Sequence, residues 1–104
     1  MAEIEEIVWT FKSRQDLRDI FDFLANKTND KKASEIVLKI IDKVEVLYNS
    51  PLNGQKEPKF AQLKREYRRL VLMHYKIVYH IRLKKVYINR IFDSRRNPKA
   101  LKLK

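Results

Sequence analysis

Apolar positions recur along this chain with two periods, and the change from one to the other divides it. Between residues 17 and 48 the spacing is helical. Leu17, Ile20, Phe21 and Leu24 stand at i, i+3, i+4 and i+7, which puts them on one helical face. After a polar break at residues 26–30, Ala33, Ile36, Val37, Ile40, Ile41, Val44, Leu47 and Tyr48 hold the same period for more than four turns. Ser13, with Asp16 three residues on, predicts the start of the first helix by a capping box. Asn29 or Asp30 caps the second, and Ser50-Pro51 stops it.

From residue 67 onward the period falls to two. Three runs rich in β-branched and aromatic residues, 67–72, 75–81 and 86–92, are separated only by Met73-His74 and by a break around Leu83-Lys84-Lys85. Such runs fit a pleated surface. Breaks this short permit only antiparallel neighbours, because a parallel return needs a dozen or more residues. The spacing therefore predicts a three-stranded meander. In its middle strand Tyr75, Ile77, Tyr79 and Ile81 share one side, while Lys76, Val78, His80 and Arg82 share the other. One face is apolar and the other carries cations.

Upstream, Ile7, Trp9 and Phe11 alternate within residues 4–11 and predict a first strand. Residues 52–59 hold Gly54 and Pro58 in a polar setting and read as a loop. The helical stripe needs a partner, and the sheet is the only large one the chain offers. The expected architecture is α+β: a helical hairpin packed on a small antiparallel sheet, in the order β-α-α-β-β-β. The length of 104 residues fits a single domain over 1–104.

Charge changes the picture more than composition does. Lys and Arg number 24 against 13 Asp and Glu, a net charge of +11. That excess favours an anionic partner: nucleic acid, an anionic membrane or an acidic protein. A membrane partner is not expected: no run approaches the roughly 18 apolar residues of a spanning helix. The first residues, Met1 to Glu6, are acidic and lack the pattern of a secretory leader. With no cysteine there is neither a disulfide frame nor a thiolate. A cytoplasmic protein is expected. His74 and His80, the two histidines, are too few for a metal site without cysteine. One glycine excludes a glycine-rich phosphate loop. Neither metal nor cofactor is expected.

The second half carries the candidate chemistry. Arg68, Arg69, Lys76, Arg90, Arg95 and Arg96 are interleaved with Tyr67, Tyr75, Tyr79 and Tyr87. Guanidinium and ammonium groups contact phosphate, and an exposed ring stacks on a base. Arg95-Arg96-Asn97-Pro98 closes the last strand with two guanidiniums suited to bidentate contact with phosphate or carboxylate. Tyr67, Lys76, Arg90, Arg95, Arg96 and Asn97 are thus the expected contacts to a target or a nucleic acid. The bland alternative is a solvated sheet face with tyrosines reaching out of the core.

The same residues carry a resemblance. Tyr67-Arg68-Arg69-Leu70-Val71, Tyr75-Lys76-Ile77-Val78-Tyr79 and a strand closing into Arg95-Arg96-Asn97-Pro98 resemble the RelE/ParE superfamily of bacterial type II toxins. Trp9-Thr10, Leu17-Arg18-Asp19-Ile20 and Leu47-Tyr48-Asn49-Ser50-Pro51 before Gly54 extend the likeness upstream and bring it closer to ParE-like members. The resemblance implies a toxin neutralised by a small acidic antitoxin that wraps it. RelE-like members cut messenger RNA on the ribosome, whereas ParE-like members inhibit DNA gyrase and are not enzymes.

If the chain were a ribonuclease, the resemblance would assign Arg68 or Arg69, Lys76, and Arg95 or Arg96 to the phosphate. RelE-like enzymes also carry a Tyr or His near the C-terminus for acid/base work, and this chain has neither after Tyr87. Arginine is a poor proton donor at neutral pH, since its pKa exceeds roughly 12. The leading expectation is therefore a ParE-like toxin acting on gyrase by binding. A ribosome-dependent endoribonuclease comes second, and a non-toxic basic nucleic-acid-binding module third.

Overall fold

The computed structural model describes residues 3–96. The first strand, β1 (Glu6–Trp9), runs into α1 (Phe11–Lys27), and α2 (Asp30–Glu45) follows. A 3-10 turn, Val46–Tyr48, carries the chain from α2 toward a two-residue strand, β2 (Gln55–Lys56), and a second 3-10 turn, Pro58–Phe60. The meander is then β3 (Arg68–Leu72), β4 (Tyr75–Arg82) and β5 (Lys85–Asp93). The strands form one five-stranded sheet in the order β1-β5-β4-β3-β2.

Two features of the sheet depart from the expectation. It is mixed, because β1 pairs parallel with β5, with Glu6 opposite Lys85 and Trp9 opposite Ile88. The predicted loop also contains β2, which pairs antiparallel with the start of β3. The meander itself is antiparallel throughout. The parallel pair spans nearly the whole chain in sequence, a separation that local periodicity does not encode.

Each helix starts at a residue whose side chain replaces a missing backbone partner. Thr10, in extended backbone, accepts from the Ser13 amide at 3.2 Å, and its own hydroxyl donates to the Ile88 carbonyl at 2.7 Å. The cap is therefore Thr10, not Ser13. One hydroxyl starts α1 and pins it to β5. For α2 the cap is Asn29, whose Oδ1 accepts from the Lys32 amide at 2.8 Å. Only Thr28 and Asn29 separate the helices, so they pack as an antiparallel hairpin.

Ile20, Ile40, Val44 and Leu47 pack against Leu70, Tyr75, Ile77, Tyr79, Val86, Ile88 and Ile91 in one buried cluster. The side of β4 carrying Tyr75, Ile77 and Tyr79 is thus the helix side, as its pattern predicts. Full burial of each such side chain stabilises the fold by roughly 1.5–3 kcal/mol.

The opposite side of β4 is less exposed than its charge suggests. Val78 is fully buried and His80 is 5% exposed. Residues 57–67 return across this face, where the Tyr67 ring meets His80 edge-on at 5.6 Å and Phe60 meets Tyr67 at 5.8 Å. The hairpins turn at Met73 and at Leu83-Lys84, all with positive φ. Two consecutive positive φ values are what a tight turn between twisted strands requires, and no glycine or asparagine eases them here.

Candidate functional site

The cations named from the sequence lie in four places. Arg68 lies on the helix side of β3, opposite Tyr79. Its guanidinium donates to the Gly54 carbonyl at 2.7 Å and pairs with Glu66 at 2.9 Å. Gly54 is held in turn by Tyr79, whose hydroxyl accepts from the Gly54 amide at 3.0 Å and donates to the Pro51 carbonyl at 2.7 Å. Burial raises the Tyr79 pKa, against the opposing effect of that amide. Arg68 thereby fixes the loop that delivers β2 to the sheet.

Arg69 and Lys76 lie on the other side, around Glu57. The Glu57 carboxylate is 2% exposed and stands 3.9 Å from Arg69 Nη1 and 3.9 Å from Lys76 Nζ. Its Oε2 accepts from the Lys59 amide at 3.0 Å. Arg69 Nη1 also donates to the Lys56 carbonyl at 2.9 Å. A carboxylate between two cations offsets part of the desolvation of all three.

Arg95 and Arg96 follow β5 at the end of the sheet away from Arg68. Asp93 is registered opposite Tyr75, and Arg68 opposite Tyr79. Four residues of strand, about 13 Å, separate those positions. Arg95 Nη2 reaches His74 Nε2 at 3.3 Å, and the Asp93 carboxylate lies 3.5 Å from the same nitrogen. The Arg96 guanidinium lies 3.8 Å over the Phe23 ring of α1. Asn97, also expected at this site, lies outside the described residues, as do Pro98 and the basic tail.

Arg90, expected on a target-binding surface, pairs with Asp16 of α1. Its Nε donates to Asp16 Oδ2 at 2.8 Å and its Nη2 to Asp16 Oδ1 at 3.1 Å. Asp16 Oδ2 also accepts from the Ile91 amide at 2.8 Å. A bulge lies beside it: Val78 pairs with Arg90 but Tyr79 with Ile88, leaving Asn89 as the extra residue. β1 ends at Trp9, opposite Ile88, so among the described residues the edge of β5 beyond it has no strand partner on that side. The first turns of α1 cover that edge, and Asp16 takes the place of a neighbouring strand for Ile91.

Asp16 and Glu57 are what sequence reasoning missed. Asp16 lies at i and i+4 with Ile20, a carboxylate on an apolar helix face, which signals a buried cation nearby. Its position three residues after Ser13 pointed instead to a capping box. Glu57 is an acidic residue between Lys56 and Pro58, and nothing local says that it turns onto the sheet.

Tyr67 joins a ring series. His80 stacks on Tyr87 with centroids 4.9 Å apart and 8° between planes, and His80 Nδ1 pairs with Asn89 Oδ1 at 2.8 Å. Burial lowers the His80 pKa, with Asn89 opposing and the Arg65 and Arg82 charges adding to the fall. The unfolded chain therefore takes up this proton first. The stability due to neutral His80 is present above the unfolded value of 6.5 and is lost as pH falls from there through the folded value. A urea series should show a lower midpoint at pH 5 than at pH 8, with a smaller difference in His80→Gln. Equal differences would remove His80 as the source.

Among the described residues no group of three or more acidic or histidine side chains is arranged to hold a metal. No described helix is long and apolar enough to cross a membrane.

A helical hairpin on one face of a mixed sheet, with cations along the other face and beyond its last strand, defines a small basic α+β protein. Residues 7–98 match the family model described as the ParE toxin of type II toxin-antitoxin system, parDE, and the chain belongs to that family. It is a toxin of the type II class, as the resemblance in its strands implied. Among solved structures it is similar to a chain of the chromosomal ParDE TA system from P. aeruginosa, at 23% identity and a TM-score of 0.75. The match covers 88% of this chain and 98% of that one, and at this identity it is a likeness of fold. No curated protein sequence matches the chain.

Proposed function

We propose that the chain arrests growth by binding DNA gyrase, without cutting RNA, and that a small acidic antitoxin neutralises it. One observation carries the first part. Cleaving a phosphodiester without metal needs cations converging on one phosphate, together with a proton donor and a base. Here Arg68 serves the Gly54 loop, Arg69 and Lys76 share Glu57, and Arg95 and Arg96 stand at the far end of the sheet. Separate cations of this kind suit a broad protein contact better than a single reacting group. Arg95, Arg96 and Lys76 are the residues through which we place that contact, with Tyr67 at its edge.

The second part rests on charge and on an open strand. The net charge of +11 attracts an acidic chain. β2 pairs only with Arg68 and Arg69, so among the described residues Leu70, Val71 and Leu72 of β3 have no strand partner on that side. An extended acidic segment adding to this edge would satisfy it. Gyrase as target places the toxin in the cytoplasm.

In a supercoiling assay with purified gyrase, the chain should stop conversion of relaxed plasmid, and the double variant Arg95→Ala/Arg96→Ala should be at least about tenfold less potent, the loss of one or two charged contacts. Unchanged supercoiling at high molar excess would overturn the gyrase reading.

A further inference from the structure

His74 stands in the tight turn between β3 and β4, beside Met73 with its positive φ. Its backbone is fixed, because the His74 carbonyl accepts from the Ser94 amide and from the Ser94 hydroxyl, both at 2.8 Å. Its ring is shared. One nitrogen, Nε2, lies 3.3 Å from Arg95 Nη2 and 3.5 Å from Asp93 Oδ2. These two contacts need opposite forms of the same atom. A guanidinium only donates, so Nε2 meets Arg95 with a bare lone pair. An ionised carboxylate only accepts, so Nε2 meets Asp93 as an N–H. Of the forms an imidazole takes, only the neutral ring with its proton on Nδ1 holds Arg95. Protonation removes that form and sets two like charges side by side.

We propose that His74 positions Arg95 according to its own protonation: the neutral imidazole holds the guanidinium, and the imidazolium turns to Asp93 and releases it. Histidine is the side chain that ordinarily changes charge between pH 5 and 8. Its neighbours suit the exchange. The Asp93 side chain is 9% exposed, and its Oδ1 already accepts from the Arg95 amide at 2.9 Å, so the carboxylate is held in place to receive the N–H. The Tyr75 ring lies against His74 with centroids 4.4 Å apart. Burial, and after it the Asp93 charge, raises the Tyr75 phenol above its ordinary 10.0, so it keeps its proton throughout this range. The other nearby cations are engaged elsewhere: Arg96 lies over Phe23, and Lys76 is turned to Glu57 and the Phe92 ring. Protonation therefore leaves two unneutralised cations, His74 and Arg95, where a neutral ring held one. The consequence for function rests on the reading that Arg95 contacts gyrase. The toxin should grip an acidic surface more tightly as pH falls, and a carboxylate that captures Arg95 should in turn favour the protonated ring.

The test has two arms, and the first needs no gyrase. A nuclear magnetic resonance titration of the full chain follows the His74 ring and the Arg95 Nε–H from pH 8 downward, with His80→Gln separating the two histidine signals. The His74 and Arg95 signals should move together through one midpoint. Arg95→Ala removes a like charge and should raise the ring's midpoint by at least about half a pH unit, while Asp93→Asn should lower it by as much. If Asp93→Asn fails to fold, Arg95→Ala and the signals of the unaltered chain decide. A midpoint unmoved in Arg95→Ala, or an Arg95 signal indifferent to the ring, would overturn the proposal. The second arm measures inhibition of supercoiling at pH 6 and pH 8 for the unaltered chain and for His74→Gln. Glutamine offers Arg95 an acceptor at both pH values and takes up no proton, so the comparison cancels any response of gyrase itself. The gain in potency at pH 6 should be about threefold larger for the unaltered chain, the worth of one exposed charge pair. Equal gains would overturn the link between His74 and target binding. Supercoiling untouched at both pH values would count against the gyrase reading alone, and the first arm would still decide whether His74 positions Arg95.

Discussion

Replacing Asp16 with alanine lowers the stability of the fold by about 3–5 kcal/mol, the cost of breaking a buried ion pair. Asp16 is 9% exposed and carries three bonds: two from Arg90 and one from the Ile91 amide. Alanine leaves the Arg90 guanidinium without the carboxylate that neutralises it and the Ile91 N–H without its acceptor. The two losses separate experimentally. The double variant Asp16→Leu/Arg90→Met removes the guanidinium as well and should recover most of the deficit. It should retain a residue of about 1–3 kcal/mol, because the Ile91 amide is still unmet. Urea unfolding of the three proteins measures both values. A loss below about 1 kcal/mol for Asp16→Ala, the range of exposed pairs, would show that the pair is solvated and that α1 does not depend on it.

Gly54→Ala should be nearly as damaging, for a steric reason. A Cβ at this position would lie 2.6 Å from the Arg69 carbonyl oxygen, 2.6 Å from Tyr79 Oη and 2.7 Å from Tyr79 Cε1. None of these can give way cheaply. The first is ladder backbone, and the others belong to a fully buried ring anchored to both Gly54 and Pro51. Overpacking of this kind costs about 1–3 kcal/mol and occasionally more. Losing a Tyr79 hydrogen bond adds about 1–3 kcal/mol where a buried group is stranded. Tyr79→Phe isolates the second term, since it keeps the ring and the space while stranding the Gly54 amide and the Pro51 carbonyl. Gly54→Ala should therefore be the worse of the two in the same urea series. The reverse order would mean that the loop moves aside, and that Gly54 serves flexibility and not close approach.

Both sites show where the sequence was readable and where it was not. The α2 stripe and the β4 alternation announced themselves because their neighbours in space are set by local period. The helical hairpin and the antiparallel meander followed from short connections. The pairing of β1 with β5 did not, since Trp9 and Ile88 lie at opposite ends of the chain and nothing in either strand names the other. Thr10 outcompeted Ser13 as the cap because its hydroxyl also reaches Ile88, a tertiary contact that a capping rule ignores. Charge misled in one direction. Cationic side chains were read as surface, yet Arg90 and Arg69 face carboxylates that the fold brings from Asp16 and Glu57. A basic count says how much charge a chain carries, and the buried acids decide how much remains on offer.

The central claim is that this toxin works by gripping a protein and does not cut RNA. Inducible expression in bacteria, sampled at the onset of arrest for both plasmid topology and messenger RNA integrity, tests it most directly. The account predicts relaxed plasmid with intact transcripts. Transcripts cleaved within their coding regions, with supercoiling unchanged, would contradict it.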